Sequence, residues 1–330
     1  MSHLTYLEAA VVGLIQGVSE LFPVSSLGHN VLLPAVIGGS WAKDLNVAAP
    51  ESPYLAFIVG LHVATAIALL IYFWRDWIRI IGGFFSSLAR FRVQTADEKL
   101  AWMIILATIP VGLVGLLLEH AFRVFFGVPI RAAAFLVVNG VILIAGERFR
   151  RRRSLQADQE ITSERELVAV GEGRRAGGSR HASGHQAQRA TEVAEAREAD
   201  VRLAREGYLP AVLIGSAQIL ALLAGISRDG VAMVAGMMKG LSREDAARFA
   251  FLLATPVILA AGVLKIPDLF GPLGKSIQGP ILVGSILSGV GAYVSVRYLV
   301  RYFRTRTLTP FGIYCIVVGG LCLIYLGLIK

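Results

Sequence analysis

A short stretch near the amino terminus concentrates the residue types that could carry chemistry. It occupies positions 16–29, reads QGVSELFPVSSLGH, and has apolar sequence on both sides. If the preceding segment is helical, Gln16 and Glu20 lie one turn apart, so the amide and the carboxylate project from one face. Pro23 and Gly28 then end the helix and open a turn, whose backbone amides become free to point at a ligand.

A second stretch repeats this pattern about two hundred residues later. The aligned pairs are Gly13 with Gly215, Gln16 with Gln218, Val24 with Ile226, Ser25 with Ser227, and Gly28 with Gly230. The chemistry differs, because the first copy carries Glu20 and His29 whereas the second carries Arg228 and Asp229. The chain is therefore predicted to contain two related halves, each with a polar, broken helical hairpin.

Composition places the chain in a membrane. Of its 330 residues, 55% are hydrophobic, and several runs approach the roughly 20 apolar residues that a bilayer crossing requires. The net charge of +9 does not indicate nucleic acid, because the basic residues cluster at the ends of apolar runs. Cys315 and Cys322 lie in the last apolar run without nearby histidines, which is typical of core residues. No cleaved signal peptide is expected.

The predicted architecture is an all-α integral membrane protein with two inverted repeats. Each repeat has a broken re-entrant helical hairpin, at residues 4–38 or 209–239, followed by three transmembrane helices. The predicted spans are 54–74, 101–119 and 131–149, then 247–265, 281–300 and 310–328. If each hairpin enters and leaves the membrane on one side, the three helices after it cross the membrane an odd number of times. The second half is then inserted upside down relative to the first, as in many transporters.

Three segments follow from this plan: a first membrane repeat (1–149), a polar linker (150–207) and a second membrane repeat (208–330). The linker is rich in Arg, Glu, Ala, Gly and Ser. We expect it to bury no core and to be disordered, or partly helical around residues 186–206. Its His181 and His185 lack a supporting ligand set, so a solvated linker is favoured over a metal site.

Charge asymmetry predicts the orientation. Clusters of basic residues follow the first and third predicted spans and precede the last: Arg75, Arg79, Arg90, Arg92, Lys99, Arg148, the arginines of 150–153, Arg297, Arg301, Arg304 and Arg306. All fall on one side, which the positive-inside rule makes cytoplasmic. The linker is then cytoplasmic, and the first hairpin enters from the outer face.

Both motifs resemble the undecaprenyl-diphosphate phosphatase family, also called the bacitracin-resistance family. Residues 16–29 resemble that family's E/Q-x-x-x-E and P-V-S-S-x-G-H pattern, and residues 224–230 resemble its P-G-x-S-R-S-G motif. Residues 106–115, 236–243 and 249–256 are also similar. The resemblance implies hydrolysis of a polyprenyl diphosphate to the monophosphate at the outer face of the bacterial inner membrane. This reaction recycles the lipid carrier of cell-wall synthesis. The resemblance also implies a divalent cation, Mg²⁺ or Ca²⁺, and no organic cofactor.

Carried over by position, the motif acids fall on Gln16 and Glu20, the serine on Ser26, the histidine on His29 and the arginine on Arg228. Pyrophosphate hydrolysis needs charge neutralisation, a nucleophile in line and proton transfer. Arg228 can clamp two phosphoryl oxygens, and Glu20 with Gln16 can hold the cation. The attacking group is Ser26, His29 or a metal-bound water.

The loop residues are predicted to bind substrate or shape the site: Ser25, Gly28, Ser227 and Gly230. Three positions depart from the family pattern, namely Leu27, Ala224 and Asp229. Asp229 adds a negative charge beside Arg228, or joins Glu20 as a metal ligand.

Other polar residues of the apolar runs are interpreted structurally. A lone histidine on an apolar helix is more often a core residue, so His62 is expected in the core. Glu119, His120 and Glu147 are expected at the membrane interface.

Two further function classes fit the sequence. The same repeats would serve a transporter or flippase of the polyprenyl phosphate carrier, and the three departures would fit an inactive structural relative. The enzyme is favoured because Glu20, Ser26, His29 and Arg228 together supply metal ligand, nucleophile, base and clamp, whereas a transporter needs only the clamp. The expected partners are the lipid substrate and membrane lipids, not nucleic acid, with a homodimer left open.

Overall fold

The computed structural model describes residues 4–45, 53–168, 185–271 and 277–329, and in these ranges every regular element is helical. A 3-10 helix at Gln218–Leu222 joins thirteen α-helices. Their bounds are α1 Tyr6–Leu21, α2 Ser26–Ile37, α3 Gly39–Asp44, α4 Pro53–Tyr72, α5 Trp74–Arg90, α6 Ala96–Phe126, α7 Pro129–Val168, α8 His185–Glu206, α9 Tyr208–Ala217, α10 Arg228–Met238, α11 Arg243–Phe270, α12 Gln278–Thr305 and α13 Thr309–Ile329.

Five of these helices are long and apolar enough to cross a membrane. Their apolar parts are 96–118, 129–152, 243–264, 278–305 and 309–328, and α4 with α5 makes a sixth span if the bent pair is one crossing. The predicted all-α membrane protein is thus confirmed for the described residues. The inverted relation between the two halves stays a prediction.

The basic segment after the first predicted span forms a helix rather than a loop. Helix α5 turns by 85° from α4 and is strongly two-sided. Ile78, Ile81 and Phe85 are exposed, whereas Ile80 and Gly83 are buried. Such a helix is suited to lie in the plane of the membrane surface.

Small residues let α1 approach α12 closely. A Cβ atom on Gly13 would lie 2.4 Å from the carbonyl oxygen of Gly284, and one on Gly17 would lie 2.2 Å from that of Ser288. At Gly215, which the sequence aligns with Gly13, a Cβ atom would likewise clash with the carbonyl oxygen of Ala107. The helices that carry both polar stretches are therefore held by close backbone packing, the usual basis of helix association in membranes.

A buried ionic network fastens the end of α8 to the membrane helices. The Asp200 carboxylate is fully buried and lies 2.8 Å from Arg79 Nη2 and 3.0 Å from Arg248 Nη2. Asp76 lies 3.0 Å from the same Arg248 atom.

The end of the predicted linker also contributes to the core, since Ala199, Leu203 and Ala204 are buried. The expectation that residues 150–207 bury no core was therefore wrong for this part, because α8 presents one apolar face with a buried carboxylate.

Glu147 is also buried inside the protein, and its position at the membrane interface stays a prediction. Its carboxylate accepts hydrogen bonds from Nε and Nη2 of Arg243, at 3.0 and 2.8 Å, and one from the backbone of Leu308 at 3.4 Å. This paired carboxylate joins α7, α11 and the segment before α13. Its burial was missed because the partner lies 96 residues away. The side chains of Glu119 and His120 lie outside the described set.

Replacing Asp200 with Asn should destabilise the protein. The change removes the carboxylate that Arg79 and Arg248 share. Breaking a buried ion pair costs about 3 kcal/mol. Thermal unfolding in detergent measures the loss. Asp97→Asn is the matched control, because Asp97 pairs with the same Arg79 but is partly exposed and should cost less than about 1 kcal/mol. Equal midpoints for both variants would contradict the buried network.

Candidate active site

The two polar loops meet at Ser25. Ser25 caps α2, and its hydroxyl oxygen accepts hydrogen bonds from the amides of Gly28 and Gly225, each at 3.2 Å. Its φ of +69° is rare for a residue with a side chain. Gly225 has a φ of +111°, and a Cβ atom there would lie 2.4 Å from the carbonyl oxygen of Ala132. The first loop is therefore cross-linked to the second.

Asn139, in the middle of α7, holds the same two loops from one side. Its amide nitrogen donates to the carbonyl oxygen of Pro23, and its amide oxygen accepts from the backbone nitrogen of Ser227, both at 3.0 Å. Asn139 is fully buried. Sequence reasoning missed this residue, although an asparagine inside an apolar span is a signal of a polar partner.

The loop glycines expected to donate to substrate are already bonded. Gly28 N–H donates to Ser25, and Gly230 N–H donates to Ser227 at 3.2 Å. The two loops thus use the same helix cap at the aligned positions. The remaining first-turn amides, which belong to residues 26, 27, 228 and 229, are the donors that these helix N-termini can offer to an anion.

Glu20 is the centre of the polar cluster. Its Oε1 accepts a hydrogen bond from Arg228 Nη2 at 3.0 Å. Its Oε2 accepts from Gln16 Nε2 at 2.8 Å and from the Ser26 hydroxyl. The structure therefore brings together four of the predicted site residues, from α1, α2 and α10. Arg228 and Glu20 are 208 residues apart in sequence.

His62 belongs to this cluster rather than to the apolar core. Its Nδ1 lies 2.9 Å from the Ile58 carbonyl oxygen and therefore carries a proton. Its Nε2 faces the cluster, 3.3 Å from Gln16 Nε2 and 3.4 Å from Glu20 Oε2. A neutral His62 accepts from Gln16, and a protonated one donates to Glu20. Its spacing on α4 gave no sign of this, because the cluster forms only when α4 packs on α1.

Asn30 sets the orientation of Gln16. Asn30 Nδ2 donates to Gln16 Oε1 at 2.6 Å, so the Gln16 amide nitrogen is the end that faces Glu20. Asn30 follows Ser26 by one helical turn and lies on the same face of α2. That spacing is the signal by which the sequence could have identified it.

His29 lies apart from the Glu20 cluster. Its Nδ1 contacts the carbonyl oxygen of Ser25 at 2.7 Å, and its Nε2 lies 2.8 Å from the Tyr314 hydroxyl on α13. The two rings stack at 5.8 Å between centroids. In the described part of the chain, His29 makes no hydrogen bond to Ser26 or Glu20. The partner of the Ser26 hydroxyl is the Glu20 carboxylate instead.

Arg228 is shared between two carboxylates. Besides the contact with Glu20, its Nε lies 3.4 Å from Asp229 Oδ1. Both contacts use the edge of the guanidinium formed by Nε and Nη2. Among the described residues Nη1 has no hydrogen-bond partner, so the other edge of the planar group can take two phosphoryl oxygens.

A divalent cation would find few open oxygens here. Both Glu20 oxygens and Gln16 Oε1 already accept hydrogen bonds. In the described ranges no group of three His, Cys, Asp or Glu side chains is arranged to hold a metal ion. Among the described residues, the buried side-chain oxygens without a partner are Asn30 Oδ1, Gln218 Oε1 and Asp229 Oδ2, and Asn30 and Asp229 contact members of the Glu20 cluster. The site therefore suits a cation that completes its shell with substrate oxygens and water, as Mg²⁺ commonly does.

Comparison with known proteins agrees with the motifs and covers most of the chain. The family described as "Bacitracin resistance protein BacA" matches residues 9–172 and 186–321. The undecaprenyl-diphosphatase of Mycolicibacterium paratuberculosis is 59% identical over 327 residues, 99% of each chain. Undecaprenyl-diphosphatase 1 of Frankia casuarinae is 51% identical, over 99% of this chain and 100% of its own. Undecaprenyl-diphosphatase 2 of Burkholderia orbicola is 40% identical over 94% of each. The chain therefore belongs to the bacitracin resistance protein BacA family.

Proposed function

We propose that this protein is a multi-pass membrane phosphatase that hydrolyses undecaprenyl diphosphate, or a similar polyprenyl diphosphate, to the monophosphate and phosphate. The observation that carries the proposal is the contact of Ser26 and Arg228 with the same carboxylate, Glu20. A nucleophile, a base and an anion clamp are thereby within one cluster. Relatives named undecaprenyl-diphosphatase, among them one that is 59% identical over nearly the whole chain, support the substrate class.

The geometry supports Ser26 as the attacking group. Its hydroxyl donates to Glu20 Oε2, so the carboxylate can accept the proton as Oγ attacks the terminal phosphorus. The bond from that phosphorus to the bridging oxygen breaks, and the polyprenyl monophosphate leaves with the bonding electrons. Water then attacks the phosphoserine, Ser26 Oγ leaves with the proton that Glu20 had accepted, and phosphate and the proton of the attacking water are released to solvent.

Arg228 and the helix N-termini stabilise the charge that develops during this transfer. The free guanidinium edge of Arg228 binds phosphoryl oxygens, and the first-turn amides of α2 and α10 can donate hydrogen bonds to the others. A bound Mg²⁺ or Ca²⁺ would neutralise further charge on the diphosphate, with Glu20, Gln16 and Asp229 as the candidate ligands.

His29 serves the leaving group in this scheme. Its Nε2 contacts Tyr314 rather than the nucleophile, so we assign to it proton exchange with the departing phosphate rather than with Ser26. Tyr314 is then a positioning residue that fixes the imidazole plane.

The orientation follows from the charge pattern of the sequence. We place the protein in the bacterial inner membrane, with the basic ends of the spans cytoplasmic and the joined loops open to the outer face. The lipid tail lies among the apolar helices. Homodimer formation stays a prediction.

The first test is phosphate release from a polyprenyl diphosphate by the purified protein in detergent, with Mg²⁺ or chelator. Ser26→Ala and Arg228→Ala should each lower the rate by about a thousandfold, because they remove the nucleophile and the transition-state clamp. Ser19→Ala is the matched control, because Ser19 is a buried serine that bonds only its own helix at Ile15, and it should keep full activity.

Two outcomes would count against the scheme. Full activity in Ser26→Ala would mean that His29 or water, rather than Ser26, attacks the phosphorus. No release by a well-folded wild-type protein would favour the transporter or flippase.

Removing the Tyr314 hydroxyl tests the part played by His29. Tyr314→Phe should lower kcat about tenfold with little change in KM and should shift the pH profile, since the ring loses the partner that orients Nε2. Tyr325→Phe on the same helix is the control, because its hydroxyl makes only a 3.5 Å contact with the Val36 carbonyl. Identical pH profiles for wild type and Tyr314→Phe would overturn this assignment.

Labelling of single cysteines in cells checks the orientation. In a background without Cys315 and Cys322, Phe91→Cys at the end of α5 should react only after the membrane is permeabilised, and Ser40→Cys should react from outside. Both native positions are exposed. Reaction of Phe91→Cys from outside would reverse the topology.

A further inference from the structure

Among the described residues, one carboxylate oxygen of the site carries no partner. Asp229 stands in the first turn of α10 and is 1% exposed. Its Oδ1 faces Arg228 Nε at 3.4 Å, whereas Oδ2 is buried without a hydrogen bond. A buried carboxylate oxygen without a compensating group is strongly unfavourable. The position therefore needs a further charge or donor.

The other carboxylate of the cluster does not have this need. Glu20 Oε1 is bonded to Arg228, and Oε2 is bonded to Gln16 and Ser26. Gln16 Oε1 is occupied by Asn30. A cation bound through Glu20 would first have to displace hydrogen-bond donors, whereas one bound through Asp229 Oδ2 would displace none.

The charges of the cluster point the same way. Two carboxylates, Glu20 and Asp229, face one guanidinium, Arg228, and a diphosphate would bring further negative charge. When His62, which lies 3.4 Å from Glu20, is neutral, Arg228 alone leaves an excess of negative charge in a buried site, where such an excess is poorly screened. A divalent cation beside Asp229 corrects it, and Mg²⁺ typically uses one or two carboxylates together with phosphate oxygens.

We infer that Asp229 Oδ2, rather than Glu20 or Gln16, would be the main protein ligand of a divalent cation, which would neutralise charge on the diphosphate of the substrate. The inference rests on the proposed function for the presence of that diphosphate. The position holds serine in the family pattern that the second motif resembles, so the assignment concerns the aspartate of this chain. Asp229 would then hold the cation that neutralises the negative charge of the substrate, and Glu20 would be free to act as the base for Ser26.

Binding of Mn²⁺ tests the inference without turnover. Electron paramagnetic resonance counts free Mn²⁺ as it is titrated into the purified full-length protein in detergent, with methylenediphosphonate as a non-hydrolysable diphosphate. Asp229→Asn and Asp229→Ser should both bind Mn²⁺ at least about tenfold more weakly than wild type. Glu20→Gln should weaken binding less. Glu8→Gln is the matched control, because Glu8 is a buried carboxylate of α1 that caps its own helix at Thr5, and it should not change the affinity.

The outcomes separate this inference from the proposed function. Unchanged Mn²⁺ affinity in a folded Asp229→Asn, judged by its thermal midpoint, overturns the cation site and leaves the phosphatase standing. Loss of affinity in Glu20→Gln alone overturns it in favour of the glutamate. Weakened binding in both Asp229 variants supports the site, even if the wild-type protein releases no phosphate, in which case only the proposed function fails.

Discussion

The ion pair between Glu20 and Arg228 is the interaction on which the rest of the site depends. It joins the two halves of the chain at 3.0 Å in a largely buried position, where an isolated charge would be costly. Because Coulomb attraction inside a protein compensates desolvation only with good geometry and added hydrogen bonds, the pair requires its neighbours. Gln16 and Ser26 supply donors to the carboxylate, and Asp229 shares the guanidinium.

Holding this pair in place requires that two separate loops keep a fixed distance. Ser25 and Asn139 do this with side-chain bonds to the backbone of both loops. Backbone contacts are less tolerant of movement than contacts between long side chains, and these residues are buried. Gly225 is also needed to keep the two loops together. Its φ is positive, and a Cβ atom at this position would clash with the carbonyl oxygen of Ala132.

The cluster divides the proton-transferring groups into two sets. Ser26 faces Glu20, whereas His29, one turn further along α2, faces Tyr314 on α13. Residues three apart lie on the same side of a helix. Ser26 and His29 nevertheless contact different helices, so two positions of one motif reach different elements. In the proposed reaction this separates activation of the nucleophile from proton transfer at the leaving group.

Much of this protein was determined by its sequence alone. The apolar runs, the end of α1 before Pro23 and the repeated Ser-x-x-Gly caps follow from local preferences of the backbone and from the length of a bilayer crossing. Gly28 does not extend the break as expected, because it lies in the first turn of α2 with its amide bonded to Ser25. The candidate residues Gln16, Glu20, Ser26, His29 and Arg228 also came from the sequence, because they occupy the positions at which the chain resembles the family motifs.

Only the tertiary structure decided which of these groups touch. His62, Asn139 and Tyr314 reach the site from α4, α7 and α13, and each looks like an ordinary polar residue on an apolar helix until those helices pack. Likewise, α8 could be recognised as helical by composition, but its burial depends on Arg79 and Arg248, far away in the chain. Contacts of this kind are set by packing between distant segments, which leaves no local periodicity in the sequence.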